Sequence, residues 1–316
     1  MDASRRSNPS VGIAIVNWNG GEQLQRCVVS IAQTAWSDVA LAGVAIVDNA
    51  STDGSVDLLR PPSGCPTRVI RNVENRGFGA ACNLAAKDID ADFLLFLNPD
   101  TVLEPESIPA AVAWLSEPAH ATTGIVGIQL MDEDGRVSRS CARFPTPRTM
   151  ISKILGLDRL MPSLFPGYVM EDWDHRESRD VDHVMGAFYL VRTEMFRMLR
   201  GFDEAFFVYF EDLDFSRRSR LAGWGSYYLS TVRAFHKGGG TSGNIQSTRL
   251  LYSLRSRMHY ARKHFSRSGA AAVTFCTLIL EPGVRLLACA VGRSPTGLSE
   301  TIGAYRMLWG SSRRAS

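Results

Sequence analysis

Acidic side chains set at the ends of apolar runs are the groups in this sequence most suited to chemistry. Residues 92–102 read Asp-Phe-Leu-Leu-Phe-Leu-Asn-Pro-Asp-Thr-Val, so Asp100 follows five consecutive apolar residues across an Asn98-Pro99 step. A hard carboxylate there, with room for water and phosphate, suits Mg2+ or Mn2+ bound partly through a substrate diphosphate. An Asn-Pro-Asp turn capping the next helix would use the same residues. A second concentration of acid, Glu211, Asp212 and Asp214, directly follows Phe206, Phe207, Tyr209 and Phe210 and precedes Arg217 and Arg218. Aromatic neighbours desolvate a carboxylate and raise its pKa toward that of a general base. The alternative is that Glu211 and Asp212 open a helix and favour its dipole. At helical spacing Asp212, Ser216 and Ser219 share a face, and Asp214 and Arg218 form an i,i+4 pair. His236 stands just before Gly238-Gly239-Gly240, which makes it a metal or phosphate candidate.

Such groups need a frame that brings them together. Residues 93–97 are too short for a buried helix and fit a strand covered on both faces, which Pro99 ends. Residues 11–16 and 44–47 are β-branched runs of the same kind, and 67–70 is a third candidate. Between them, helical spacing of Leu24, Cys27, Val28 and Ile31 and the small-residue run 80–89 predict helices. Strand, loop and helix repeated in this way predict an α/β, Rossmann-like, mostly parallel sheet flanked by helices. In such sheets ligands sit beyond the carboxyl ends of the strands. The chain delivers Asn17 and Trp18, then Asp48, then Arg76 and Gly77, then Asn98 and Asp100, to that rim. Asp48 is placed to bond a ribose or base edge, Trp18 offers a flat face to a base, and Gly77 and Gly79 let backbone approach a ligand. An Asx turn, a core aromatic and a plain glycine turn are the respective alternatives. Further on, 124–130 and 181–192 read as strands, the second interrupted at Gly186, while 132–147 is loop-like and 151–173 shows no clear period.

Composition narrows the class. The 316 residues carry a formal net charge of +3, too little to support a nucleic-acid role. The six cysteines are dispersed with no CxxC pair, as in a reduced cytosolic protein, and the polar first ten residues are expected to be disordered and to lack an export signal. The first strand is followed by neither GxGxxG nor a Walker lysine motif, which disfavours a dinucleotide enzyme and a P-loop ATPase.

Taken in order, Val16-Asn17-Trp18-Asn19-Gly20, residues 47–55, Asn75-Arg76-Gly77-Phe78-Gly79 with Asn83, Leu97-Asn98-Pro99-Asp100-Thr101, Phe144-Pro145-Thr146-Pro147, Gly186-Ala187, Gly201-Phe202-Asp203-Glu204, Phe210-Glu211-Asp212-Leu213-Asp214, His236 and Ser242 resemble the inverting family-2 nucleotide-sugar glycosyltransferases of GT-A fold. The likeness extends over residues 11–242 and is closest to the bacterial rhamnosyltransferase group. It implies that Val16, Trp18 and Asp48 hold base and ribose, that residues 76–79 line the donor pocket, and that Asn98 and Asp100 occupy the DXD position. Because Asn98 replaces the first acid of that motif, Asp100 becomes the principal ligand to Mg2+ or Mn2+, with His236 as a second. Asp212 falls at the catalytic-base position, with Glu211 and Asp214 as supporting neighbours. The implied substrates are a nucleotide-sugar donor, dTDP-rhamnose by preference, and a glycan or polyprenyl-diphosphate-linked acceptor in cell-surface polysaccharide synthesis. A nucleotidyltransferase or a non-catalytic sugar-nucleotide-binding module are the rival readings; the first lacks its glycine-rich, lysine-bearing loop.

A catalytic domain over 11–245 then leaves 246–316 as a helical extension. Here Arg249, Arg255, Arg257, Arg262, Lys263 and Arg267 interleave with Leu250, Leu251, Tyr252, Leu254, Met258, Tyr260 and Phe265. Such a basic amphipathic helix lies on an anionic membrane surface, here the cytoplasmic face, or packs in a bundle or homodimer.

Overall fold

The computed structural model describes residues 8–238, 246–292 and 294–312. In chain order these form β1 (Ser10–Asn17), α1 (Gly21–Ala32), β2 (Ala40–Asp48), β3 (Thr67–Arg71), α2 (Phe78–Ala86), β4 (Phe93–Leu97), β5 (Thr101–Leu103), α3 (Ser107–Ser116), β6 (Thr123–Met131), β7 (Cys141–Ala142), α4 (Pro147–Ile154) and α5 (Leu157–Leu160). They continue with β8 (Arg179–Val181), β9 (His183–Val184), β10 (Phe188–Arg192), α6 (Thr193–Met198), α7 (Glu211–Leu221), β11 (Gly225–His236), α8 (Gln246–His264), α9 (Arg267–Phe275), α10 (Glu281–Val291) and α11 (Pro295–Ser312).

The main sheet runs β3-β2-β1-β4-β10-β6-β11-β5, with β8 also paired to β11. β1 to β4, β6 and β11 share one direction; β10, β5 and β8 run against it. Alternation along β1 explains why this sheet is covered on both sides. Ile13 and Ile15 join Leu24, Val28 and Ile31 of α1 and Ile108 and Val112 of α3 in one core. Ala14 and Val16 face Ala81, Cys82 and Ala85 of α2 with Met195, Phe196 and Phe215 in the other. Burial of β4 on both faces follows from its unbroken apolar run.

Three local expectations are corrected. The segment 1–10 anticipated as disordered reaches too far at its end, because Ser10 already opens β1 and its backbone N–H and hydroxyl donate to Asp92; residues 1–7 lie outside the described residues. The single strand over 181–192 is three strands. Its backbone is diverted at Met185 and Gly186, whose N–H groups donate to the Ser140 carbonyl and to the Asp212 carboxylate. The unassigned stretch after residue 146 begins with α4, set by a Thr146/Thr149 capping box and Pro147 at the first turn. Met150 and Ile154 of α4 pack with Phe206, Leu213, Tyr260 and Val273 in a third core. Through it α8 and α9 are joined to the sheet domain.

Gly77 shows how tightly the rim is built. It sits at φ 87° and ψ 170°, a region open essentially to glycine alone, and a Cβ there would lie 2.3 Å from the Phe207 carbonyl oxygen, which accepts from the Phe78 N–H. Gly77→Ala is therefore expected to cost on the order of 1–3 kcal/mol from strain alone; a melting temperature equal to that of the parent would refute the close approach.

Candidate active site

The end of β4 and the start of β11's partner strand explain how Asp100 and His236 meet. Pro99 ends the buried strand, the turn closes with the Thr101 N–H on the Asn98 carbonyl, and the chain crosses to the far edge of the sheet as β5. β5 pairs antiparallel with the end of β11 in a register that sets His236 opposite Thr101. His236 Nε2 then lies 3.3 Å from Asp100 Oδ1 and 3.4 Å from Asn98 Nδ2. One carboxylate and one imidazole could serve as two ligands to a divalent ion. Among the described residues no group of three or more His, Cys, Asp or Glu forms a cage made of protein alone, so such an ion would need further ligands from water or a bound molecule.

Asp212 comes from the other side, on the first turn of α7. Tyr209 and Phe210 hold consecutive left-handed conformations, φ 67° and 69°, that turn the chain abruptly into the helix. Such conformations are costly for bulky side chains and cluster at functional sites. They are held by burial of Phe206 and Phe210 in the third core and by donation from Arg249 Nε to the Tyr209 hydroxyl at 3.0 Å. Asp212 Oδ2 accepts from the Gly186 N–H at 2.9 Å and Oδ1 from the Leu213 N–H at 2.8 Å. Gly186 is thus the close backbone approach that the interrupted strand suggested, and the group approaching is the Asp212 carboxylate.

Asp100 and Asp212 line one cleft of about 850 Å³. Val16, Trp18, Gly77, Asn98, Glu211 and His236 line it too. The other sequence-derived candidates are placed differently. Asp48 is buried behind the wall, where its Oδ1 accepts from Asn17 Nδ2 at 3.2 Å. Gly79 packs against Phe202 and Glu211, and the Arg76 side chain is exposed while its N–H donates to Asn49. Asp214 points away from the cleft: it is fully buried and bonded by Arg218 Nε at 2.7 Å, Lys263 Nζ at 2.8 Å and His264 Nε2 at 2.7 Å. Ser242, part of the family likeness, lies outside the described residues.

Several wall residues were not anticipated. Asn49 ties the two rim loops together, donating to Asn75 Oδ1 and the Gly77 carbonyl and accepting from Asn72 and Arg76. Its place directly after β2 and beside Asp48 was the available signal. Arg139, Tyr168 and His183 line the cleft, as do Thr248, Arg249, Tyr252 and Ser253 of α8. The tail therefore contributes to the cleft, a role that its basic and apolar alternation, read as a membrane-surface helix or a packed bundle, did not indicate.

Charge states differ sharply along α7. Burial, followed by the Asp212 charge, drives the Glu211 carboxyl well above the ordinary carboxylate range. Burial also raises the Asp214 carboxyl, but the hydrogen bonds from His264, Lys263 and Arg218 outweigh it and hold it down at about 2. Two acids three residues apart are thus shifted in opposite directions.

A helix-flanked, mostly parallel sheet with an acid-lined cleft at its rim is that of a glycosyltransferase with the GT-A fold. Its likeness to the Pyrobaculum calidifontis mannosyltransferase PcManGT, whose structure is in complex with GDP-Man and Mn2+, has a TM-score of 0.56 at 15% identity, over 96% of this chain and 88% of that one. Residues 12–167 match the family Glycosyl transferase family 2, and the chain belongs to that family. It is 29% identical over 258 residues to the N-acetylglucosaminyl-diphospho-decaprenol L-rhamnosyltransferase of Mycobacterium tuberculosis, covering 75% of this chain and 79% of that protein. It is 27% identical over 201 residues to the rhamnosyltransferase WbbL of Escherichia coli, covering 59% and 71%.

Proposed function

We propose that this glycosyltransferase is inverting and metal-dependent, and that it moves L-rhamnose from dTDP-rhamnose to a saccharide carried on a polyprenyl diphosphate. The observation that carries the reading is the convergence of Asp100, paired with His236, and Asp212 on one cleft. The rhamnosyl reading rests on the two rhamnosyltransferase relatives, and the lipid-linked acceptor on the Mycobacterium tuberculosis one. Trp18 and the Gly77 loop receive the nucleoside, and Asn98 and Asp100 face the diphosphate. Asp100 and His236 would hold a divalent ion, which would supply positive charge at the diphosphate. Asp212 takes the proton of the acceptor hydroxyl as its oxygen attacks the anomeric carbon from the face opposite the leaving group. The raised pKa of the buried Glu211 carboxyl disfavours a second negative charge beside that base.

The C-terminal helices support association with an anionic membrane face on the cytoplasmic side. Residues 246–316 contain 11 Lys and Arg against 2 Glu, although the whole chain has 35 basic and 32 acidic residues, so the rest is net acidic. The helical stretch Arg267–Val291 is long and apolar enough to cross a membrane by length and composition, with mean hydropathy 1.6, and it exposes Phe275, Ile279, Leu287 and Val291. Its one acid, Glu281, is buried against Arg257 at 2.8 Å. An apolar face in a basic surround suits a lipid surface.

A thermal-shift panel of nucleotide sugars with and without Mn2+ tests the donor reading. The expected outcome is a rise of the melting temperature with dTDP-rhamnose that grows with metal. An equal response in Asp100→Ala, or no response to any nucleotide sugar, would overturn it. Co-sedimentation with vesicles containing anionic lipid, against neutral vesicles, tests the membrane reading; equal recovery in both pellets would refute it.

A further inference from the structure

His183 is a polar side chain of the cleft wall that the proposed mechanism leaves unused, and its surroundings form a closed ring of contacts that begins and ends on Asp212. Its Nδ1 lies 2.9 Å from Ser216 Oγ, and Ser216 Oγ lies 2.7 Å from the Tyr189 hydroxyl. The Tyr189 hydroxyl in turn donates to the Asp212 backbone carbonyl at 3.3 Å, while His183 Nε2 faces Asp212 Oδ2 at 3.7 Å.

One proton order around that ring sends the Tyr189 hydrogen to the Asp212 carbonyl, the Ser216 hydrogen to the Tyr189 oxygen and the Nδ1 hydrogen of His183 to Ser216. In that order the lone pair of Nε2 is directed at the Asp212 carboxylate; in the reverse order an Nε2 hydrogen faces it instead. A lone pair gains nothing from an ionised carboxylate. It gains a hydrogen bond once that carboxyl carries a proton and rotates to close the gap.

We propose that His183 is a positioning residue for the reaction: it accepts a hydrogen bond from Asp212 after Asp212 has taken the acceptor's proton. The inference rests on the assignment of Asp212 as base. In the step itself the acceptor O–H bond breaks and an Asp212 O–H bond forms. The acceptor oxygen bonds the anomeric carbon, and the sugar–phosphate bond breaks with its electron pair leaving on the diphosphate. The proton on Asp212 is shared with Nε2 until product departs and water removes it. An interaction made only after proton transfer begins lowers the barrier without tightening substrate binding.

The electrostatic setting agrees with a neutral ring. Burial lowers the imidazole's proton affinity, against the opposing charges of Asp212 on α7 and the adjacent Asp182. The other titratable groups around it are Tyr189 on β10, Glu211 at the start of α7, and Cys141 on β7, the strand paired with β9. Burial holds Tyr189 and Cys141 protonated near pH 7 and pushes the Glu211 carboxyl well above the ordinary carboxylate range.

The pH profile of kcat distinguishes this role from a packing role. In His183→Phe, which removes the acceptor atom, kcat is expected to fall about tenfold, a part of general-base catalysis, with donor KM unchanged. Its acid limb moves to lower pH, because the carboxyl has lost a group that favours its protonated form. His183→Gln, which can offer an oxygen, recovers part of the rate. Ser216→Ala, which removes the anchor of Nδ1, moves the limb in the same direction and covers the case in which His183→Phe does not fold. A limb that stays in place, or one that moves to higher pH, would overturn the inference. Asp212→Asn run in parallel separates the two claims. If it keeps near-parental turnover the base assignment itself falls, and if it is inactive while His183→Phe matches the parent, only the role of His183 falls.

Discussion

Asp212→Asn is expected to leave a folded protein that still binds its nucleotide donor but transfers sugar roughly 10²–10⁴-fold more slowly. The amide keeps the shape of the carboxyl, and its oxygen can still accept from the Gly186 or the Leu213 N–H. What it cannot do is take the proton of an attacking hydroxyl. The informative contrast is Glu211→Gln. Burial and the neighbouring Asp212 charge push its carboxyl well above the ordinary carboxylate range, and the proposed mechanism gives it no proton to take, so turnover should stay within about threefold of the parent. Stability should respond in the opposite sense to an ordinary acid. A carboxyl whose folded pKa is raised binds more protons in the native state, so its contribution becomes unfavourable as pH climbs above the unfolded carboxylate range. Glu211→Gln removes that penalty, and its melting temperature at pH 8 should equal or exceed the parent's. Single-turnover assays and melts of both variants check the pair; comparable loss of turnover in the two would show that the base is not Asp212 alone.

Asp214→Asn should be the more damaging substitution for stability although it lies outside the cleft. Its carboxylate is the shared anion of Arg218, Lys263 and His264, and the last two belong to α8. Removing one member of a buried charged network leaves the others uncompensated, a loss of roughly 3–5 kcal/mol. For a chain of this size that is a fall in melting temperature on the order of 6–12 °C. The sign with pH is fixed by its depressed pKa, at about 2. The contribution is fully present above the unfolded carboxylate range and fades as pH falls through the folded value. Melts of parent and variant should therefore converge toward pH 2, and parallel curves from pH 7 to pH 3 would argue that the network contributes little.

Much of the frame was legible because single physical signals dominate there. The apolar run of β4 and the Asn-Pro step after it gave both the buried strand and the rim position of Asp100. The aromatic block before Glu211 marked a desolvated acid pair, and Gly186 marked a close approach. Long-range pairing was the illegible part. Nothing local to His236 states that β5 and β11 are neighbours, and it is their register that sets it against Asp100. His183 was hidden for a related reason, since one histidine in a short strand carries no signal until Ser216 and Tyr189 arrive from other elements. The Asp214–Arg218 pair was readable from its spacing, whereas its cations from α8 were not.

The most consequential of those long-range arrangements is that α8 belongs to two structures at once. It gives Thr248, Arg249, Tyr252 and Ser253 to the cleft and Leu251, Leu254 and Met258 to a core shared with Tyr305 and Leu308 of α11. The natural graft point for exchanging tails between relatives therefore lies after His264, where α8 ends, rather than before Gln246. A chimera joined after His264 inherits foreign terminal helices but keeps its own cleft. One joined before Gln246 imports part of another enzyme's substrate wall.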